Sequence, residues 1–397
     1  MGLSKDRLER THDVLAAHVG RGVAPGVVAL VWRGEELYID PIGVTAVGGS
    51  TPMKRDTIFR VASMSKPVTA VAAMILVEEC VLRLDDPVDD LLPELANPRV
   101  LVDYEGPLEN TVPANRPITL RDLLTFRLGT GMFFASPDSP YMRKLAEIGA
   151  LPGPPQPQTM PAPDEYMKLV TAVPLVFQPG EKWLYNTGAD VTGVLIERAT
   201  GQSLEAFMHE RIFDPLGMDD TSFSVPPEKL DRFTTSYVTD PSTGALNVFD
   251  EVDGQWAKPP QFCSGAGGLV STVDDFCTFG RMMLGGGALD GTRIVSRASV
   301  ATMTTNQLTL GNTEGMSIAP GYFDSHGWGF GMSVVTKLVD PGEPVGTYGW
   351  DGGLGTVWKC TPSEQVVTCL LTQAAWTSPN PPAIACDFWT TVHAAIE

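Results

Sequence analysis

A serine and a lysine three residues apart, Ser63 and Lys66, lie in the largely apolar run Phe59-Arg60-Val61-Ala62-Ser63-Met64-Ser65-Lys66-Pro67-Val68-Thr69-Ala70. On a helix, residues at this spacing share a face with Cβ atoms about 5–6 Å apart. The amine then reaches the hydroxyl and can take its proton, which makes an acylatable nucleophile. For that task the lysine must titrate well below its usual ~10.4, through desolvation or a neighbouring positive charge. Val61, Ala62 and Met64 supply the apolar surroundings that desolvation requires. The spacing is cheap, because a chain of this length shows about one such pair by chance. It fits equally a serine at a helix start and a solvated lysine, so the rest of the chain must decide.

A histidine-assisted serine is the first competitor. The five histidines are His12, His18, His209, His326 and His393. Only His326, in Ser325-His326-Gly327, has a loop context, and a surface histidine is the better reading of it. The chain contains no Gly-x-Ser-x-Gly elbow. It also has no His-Glu-x-x-His or similar metal spacing, so neither a metal nor another cofactor is expected. A lysine-activated serine needs a proton carrier and an oxyanion site. Tyr185, in Trp183-Leu184-Tyr185-Asn186-Thr187-Gly188, is placed before a helix and can relay a proton, or is simply a half-buried turn tyrosine. The glycines of Trp350-Asp351-Gly352-Gly353-Leu354-Gly355 let backbone approach a ligand closely. A free N–H there can pair with that of Ser63 around an oxyanion; the other reading is a bend at a sheet edge.

The order Ser-x-x-Lys, tyrosine, then a Gly-rich motif near the C-terminus resembles the serine β-lactamase and penicillin-binding-protein superfamily, most closely its class C branch and the family VIII carboxylesterases. Ile118–Thr125, Pro179–Trp183 and Gly265–Thr272 look like further landmarks of that family in the family's order, so the likeness covers nearly the whole chain. The resemblance implies an α+β, β-lactamase/transpeptidase-like fold. It also implies Ser63 as nucleophile, Lys66 as its base, Tyr185 as proton relay, and the N–H groups of Ser63 and Gly353 as oxyanion hole. Trp350, Asp351 and Gly352 would then bind substrate.

Two departures from the class C pattern bear on substrate. Where that branch reads Tyr-x-Asn, this chain reads Tyr185-Asn186-Thr187, so the amide that grips a substrate amide is displaced. Where it reads Lys-Thr-Gly, Trp350-Asp351-Gly352 stands. The lysine of that motif helps bind the carboxylate of β-lactams and D-Ala-D-Ala peptides, a grip worth roughly 1.5–3 kcal/mol. Its replacement by tryptophan beside an aspartate predicts neutral, short-chain carboxylic esters as substrates and weak or absent β-lactamase activity. An acyltransferase with an alcohol or amine acceptor, an amidase or D-amino-acid peptidase, and a non-catalytic ligand-binding relative are the alternatives.

These residues must be held by a scaffold, and its elements are legible in outline. Residues 4–20 read as an amphipathic helix with Ser4 as N-cap. Gly26–Trp32 and Glu36–Ile39 read as a hairpin, and Thr57–Val61 as a short strand leading into the Ser63 helix. Between 98 and 263 strands are hard to find. Helical pieces stand at 119–127, 163–172, 187–200 and 203–212, and prolines crowd into Leu151–Pro157. A helix at 273–284, strands at 327–336, 345–350, 355–360 and 366–372, and a helix at 381–395 follow. Strands at both chain ends predict one antiparallel sheet flanked by helices. It would be built from 1–97 and 264–397, with 98–263 a mainly helical insertion.

Composition narrows the partners. A formal net charge of −19 repels phosphate backbones and anionic membrane surfaces, which leaves a small-molecule ester as the expected partner. Oligomeric state is not indicated. The stretch Met1–Leu8 has no apolar segment of a secretory signal, and the six cysteines form no Cys-x-x-Cys pair. Free, buried, reduced thiols and a cytoplasmic location are expected.

Overall fold

The computed structural model describes residues 2–151 and 153–397; Met1 and Pro152, one of the clustered prolines, lie outside it. Seven antiparallel strands form the central sheet: β1 (Gly26–Arg33), β2 (Glu36–Gly43), β3 (His326–Trp328), β4 (Ser333–Val335), β5 (Tyr348–Gly352), β6 (Thr356–Thr361) and β7 (Val366–Thr372). Their order is β3-β4-β5-β6-β7-β1-β2, so the N-terminal hairpin docks on the C-terminal meander through β1 and β7. That junction pairs Val27 with Thr372 at one end and Arg33 with Val366 at the other. All seven residues of β7 are buried, because helices cover both faces.

Side chains alternate across the pleat. Val27, Ala29, Val31, Val357 and Leu370 pack on one face with helices α1 (Lys5–Gly20) and Ala383–Ala394. Val28, Leu30, Trp358, Cys369 and Leu371 pack on the other, against helix α2 (Ser65–Glu78) and the Val273–Leu284 helix. The same cluster continues into Leu123, Val194 and Phe213 of the middle segment, so one core runs from the sheet into the helices. The arrangement is the β-lactamase/transpeptidase-like α+β fold.

Helix α2 is buried over all of Ser65–Leu76, as a helix apolar all round must be. Pro67 sits in its first turn, where the missing N–H breaks no helical bond. The structure corrects the start of this helix: Ala62–Met64 form a separate 3₁₀ turn ahead of it, and Ser63 lies in that turn. The strand expected over 327–336 is instead two, β3 and β4, folded back through Gly329–Met332. Gly331, at φ +69°, presses on the carbonyl of Lys66, where an added Cβ would approach to 2.7 Å.

Two short hairpins also lie in the segment read as strand-poor: Arg99–Leu101 with Thr111–Pro113, and Ser236–Thr239 with Leu246–Asp250. Their strands have three to five residues and no sustained apolar alternation, which is why the sequence conceals them. The helix expected over 203–212 gives way to a π turn at His209–Phe213. All six cysteines are unpaired, but only Cys277, Cys360 and Cys369 are buried; Cys263 and Cys386 are half-buried and Cys80 is exposed. Among the described residues, no helix is long and apolar enough to cross a membrane.

Candidate active site

Ser63 is held from both sides. Upstream, Phe59–Arg60 pairs with Val270–Ser271, and the buried guanidinium of Arg60 meets Asp250 at 2.5 Å beneath Phe233. Val61 then donates its N–H to Leu269 O, and its carbonyl accepts the hydroxyl of Thr356 from β6. Ala62 adopts a left-handed φ of 45°, an uncommon conformation for a residue with a Cβ. Its carbonyl accepts the Ser65 hydroxyl, which in turn accepts the N–H of Leu269. Such local strain persists only where the surroundings over-determine it, and it is found preferentially at functional sites.

Lys66 Nζ lies 2.8 Å from Ser63 Oγ and 2.6 Å from the carbonyl of Ala266. The lysine is 1% exposed, and burial lowers its pKa to about 7, against the raising influence of Asp190. Desolvation is therefore the larger effect, and a substantial neutral fraction exists near pH 7.

Tyr185 donates its hydroxyl hydrogen bond to Ser63 Oγ at 3.0 Å and accepts the indole N–H of Trp350 at 2.9 Å. Burial raises its pKa to about 12, opposed by those two hydrogen bonds, so the phenol is neutral at working pH. The tyrosine's backbone pairs with Met132, and the next residue, Asn186, is forced to φ 88°, ψ −53° before the Thr187–Thr200 helix begins. Around it stand Phe126, Trp183, Trp328 and Trp350, with Trp328 and Trp350 edge to face at 4.6 Å. These rings exclude water from one side of the tyrosine.

Gly352 lets β5 lie against the Ser63 turn: a Cβ there would collide with the carbonyl of Val61 and the hydroxyl of Thr356. Gly353 follows in the turn, and its N–H donates to no described residue. Ser63, Tyr185, Trp350, Asp351 and Gly353 all line one cavity of about 630 Å³. Met132, Phe134 and Trp376 also line it, while Phe133, Tyr141, Trp328 and Phe330 are buried in the core. His326 also lines the cavity, stacked on Tyr322 and engaged by Ser325 and Glu343, with no contact to Ser63.

One participant escaped the sequence reading. Asp190, 5% exposed, accepts hydrogen bonds from Ser264 Oγ at 2.7 Å and from the N–H of Ala266 at 3.0 Å, with Tyr166 OH at 3.4 Å. It thereby holds the backbone at Ala266, the residue whose carbonyl receives Lys66. Nothing in its spacing marks it, since its connection to the lysine passes through a backbone group 76 residues away.

The sequence profile of the family described as Beta-lactamase matches residues 12–383. The chain belongs to that beta-lactamase family. Among its relatives is Protein Rv1367c of Mycobacterium tuberculosis strain H37Rv, 37% identical over 359 residues, which cover 89% of this chain and 86% of that protein. Esterase EstB of Burkholderia gladioli is 32% identical over 379 residues, 88% of this chain and 86% of EstB. A mutant of the simvastatin synthase LovD from Aspergillus terreus superposes with a TM-score of 0.80 at 26% identity, covering 98% of both chains. Proteins similar to this chain thus include one named as an esterase, by sequence, and a synthase, by structure.

Proposed function

We propose that this beta-lactamase-family protein is a serine hydrolase of neutral carboxylic esters, acting through a Ser63 acyl-enzyme. The observation that carries the reading is the convergence on Ser63 Oγ of Lys66 Nζ at 2.8 Å and Tyr185 OH at 3.0 Å. Neutral Lys66 takes the serine proton as Oγ attacks the ester carbonyl. The oxyanion is received by the N–H groups of Ser63 and Gly353, two residues that line the cavity. Tyr185 passes the proton to the departing alcohol, and Trp350 N–H steadies the phenol oxygen as it exchanges protons. Water then enters by the same route and releases the acid.

Neutral substrates are favoured because Trp350 offers an uncharged N–H, already bonded to Tyr185, and Asp351 beside it repels a carboxylate. A cavity of about 630 Å³ exceeds what a small ester fills and falls within the range of drug-sized ligands. A short acyl group on a bulky alcohol suits that volume. The same volume supports a second reading, acyl transfer to a bound alcohol or amine in place of water, which product partition with added acceptors would reveal.

Intact-protein mass after fluorophosphonate treatment tests the nucleophile. Wild type should gain one adduct and Ser63→Ala none; an equal adduct on both removes Ser63 from the mechanism. Substrate class is tested with p-nitrophenyl acetate through octanoate against a chromogenic cephalosporin, and preference for the cephalosporin would defeat the argument from Trp350 and Asp351.

A further inference from the structure

Strand β5 presents its two central side chains in opposite directions. Trp350 turns to Tyr185, while Asp351 lies on the other side, where its cross-strand partner is Val357. The cavity that contains Ser63 also reaches Asp351. Four other lysine, carboxylate or histidine side chains line that cavity, and each is engaged. Lys359 is paired with Glu343 and sits 3.2 Å from the centre of the Trp389 ring. His326 lies 3.4 Å from the second Glu343 oxygen, and Asp340 accepts the N–H of Gly342. Among these described cavity-lining groups Asp351 alone has no hydrogen-bond or ion-pair partner: its Oδ1 is closed off from solvent and accepts no hydrogen bond, and none is made to Oδ2.

A carboxylate offers about four acceptor positions, and one left empty in a partly buried wall is costly unless something else fills it. The neighbouring cation cannot, because Lys359 is already committed to Glu343. Burial holds the Asp351 pKa up at about 6, which still leaves the group charged at neutral pH. We propose that Asp351 anchors a donor subsite in the substrate cavity, one that takes a protonated primary amine best, a hydroxyl less well, and excludes a carboxylate. The overall charge of −19 works in the same direction by drawing cations toward the molecule. Assigning the donor to a substrate rests on the ester-hydrolase reading, in which a neutral ester brings a hydroxyl and the amine is the probe that reads the carboxylate most strongly; the subsite itself does not.

The test is therefore a binding measurement on protein that cannot turn over. Ser63→Ala protein is titrated by calorimetry with 4-phenylbutylamine, 4-phenylbutanol and 4-phenylbutyrate, three probes that differ only in the terminal group. The amine should bind about tenfold or more tightly than the carboxylate, as a charge-assisted hydrogen bond implies, with the alcohol between them. Adding Asp351→Asn, or Asp351→Ser as an independent variant, should shrink the amine-to-carboxylate ratio to about threefold or less. Both should melt at or above the parent temperature, because neither breaks a hydrogen bond. Equal binding of amine and carboxylate, no binding of any probe, or an undiminished ratio in both Asp351 variants overturns the proposal. Fluorophosphonate labelling of the wild type reports separately on acylation, so loss of one reading leaves the other standing.

Discussion

Lys66 and Asp190 meet through one residue, Ala266, whose carbonyl accepts from the lysine and whose N–H donates to the aspartate, and that arrangement sets how the site should respond to pH. Lys66 acts as a base only when neutral, and burial lowers its pKa to about 7 while Asp190 opposes the shift. Turnover of p-nitrophenyl acetate should therefore rise with pH through about 7. Asp190→Asn keeps acceptors for Ser264 and Ala266 but removes the charge that favours the ammonium form. Its rising limb should move to lower pH, whereas a purely structural role for Asp190 would leave the limb in place and lower only the melting temperature. Tyr185→Phe removes the proton carrier and should reduce kcat by about 10²–10⁴. It also leaves the Trp350 N–H without its acceptor, at about 1–3 kcal/mol, which a lower melting temperature would register. The grouping of Ser63, Lys66 and Tyr185 was legible because these residue types can carry such chemistry and their order along the chain is informative. Asp190 was not, because it acts through the backbone of Ala266, and a backbone carbonyl has no letter in the sequence.

At the scale of elements, the groups proposed to act in catalysis come from the turn before α2, the loop before the Thr187–Thr200 helix, and the end of β5. Close approach of β5 to the Ser63 turn depends on the missing side chain at Gly352. Gly352→Ala should push the strand off Val61, separate the Gly353 and Ser63 N–H groups, and lower kcat for p-nitrophenyl acetate by about 10²-fold or more, the scale of losing one oxyanion donor. Labelling by fluorophosphonate should slow in parallel; unchanged labelling and turnover would mean that the strand tolerates the methyl group. The long apolar strands β1, β6 and β7 were legible because a strand buried on both faces reads as a continuous apolar run. The β3–β4 hairpin was read as one strand because its turn, Gly329–Met332, is itself apolar and buried against α2 and Met303. There the usual polar signature of a turn is absent because the turn faces the protein interior.

The whole molecule carries 47 acidic against 28 basic side chains, so acidification should at first relieve repulsion within the fold. Two partly or wholly buried carboxylates add to this: burial raises both Asp275 and Asp351 to about 6 from 3.8. A group whose folded pKa exceeds its unfolded value binds protons more readily in the folded state, so its contribution to stability grows as pH falls through about 6 and is complete below about 4. Opposing groups act lower down. Glu78, Asp85, Glu94 and Asp220 are held below their ordinary values by arginine or hydroxyl partners, and their contributions vanish only as they protonate in strong acid. The melting temperature should therefore climb from pH 8 to about 5.5 and collapse below about 4. With each 1 kcal/mol worth roughly 2–4 °C in a large domain, a rise of several degrees is expected. Asp351→Asn should melt higher than wild type at pH 8 and converge with it near pH 5, because the substitution removes the charge that burial penalises. A melting temperature that falls steadily from pH 8 to 5.5 would show that paired carboxylates outweigh both the net charge and these two aspartates.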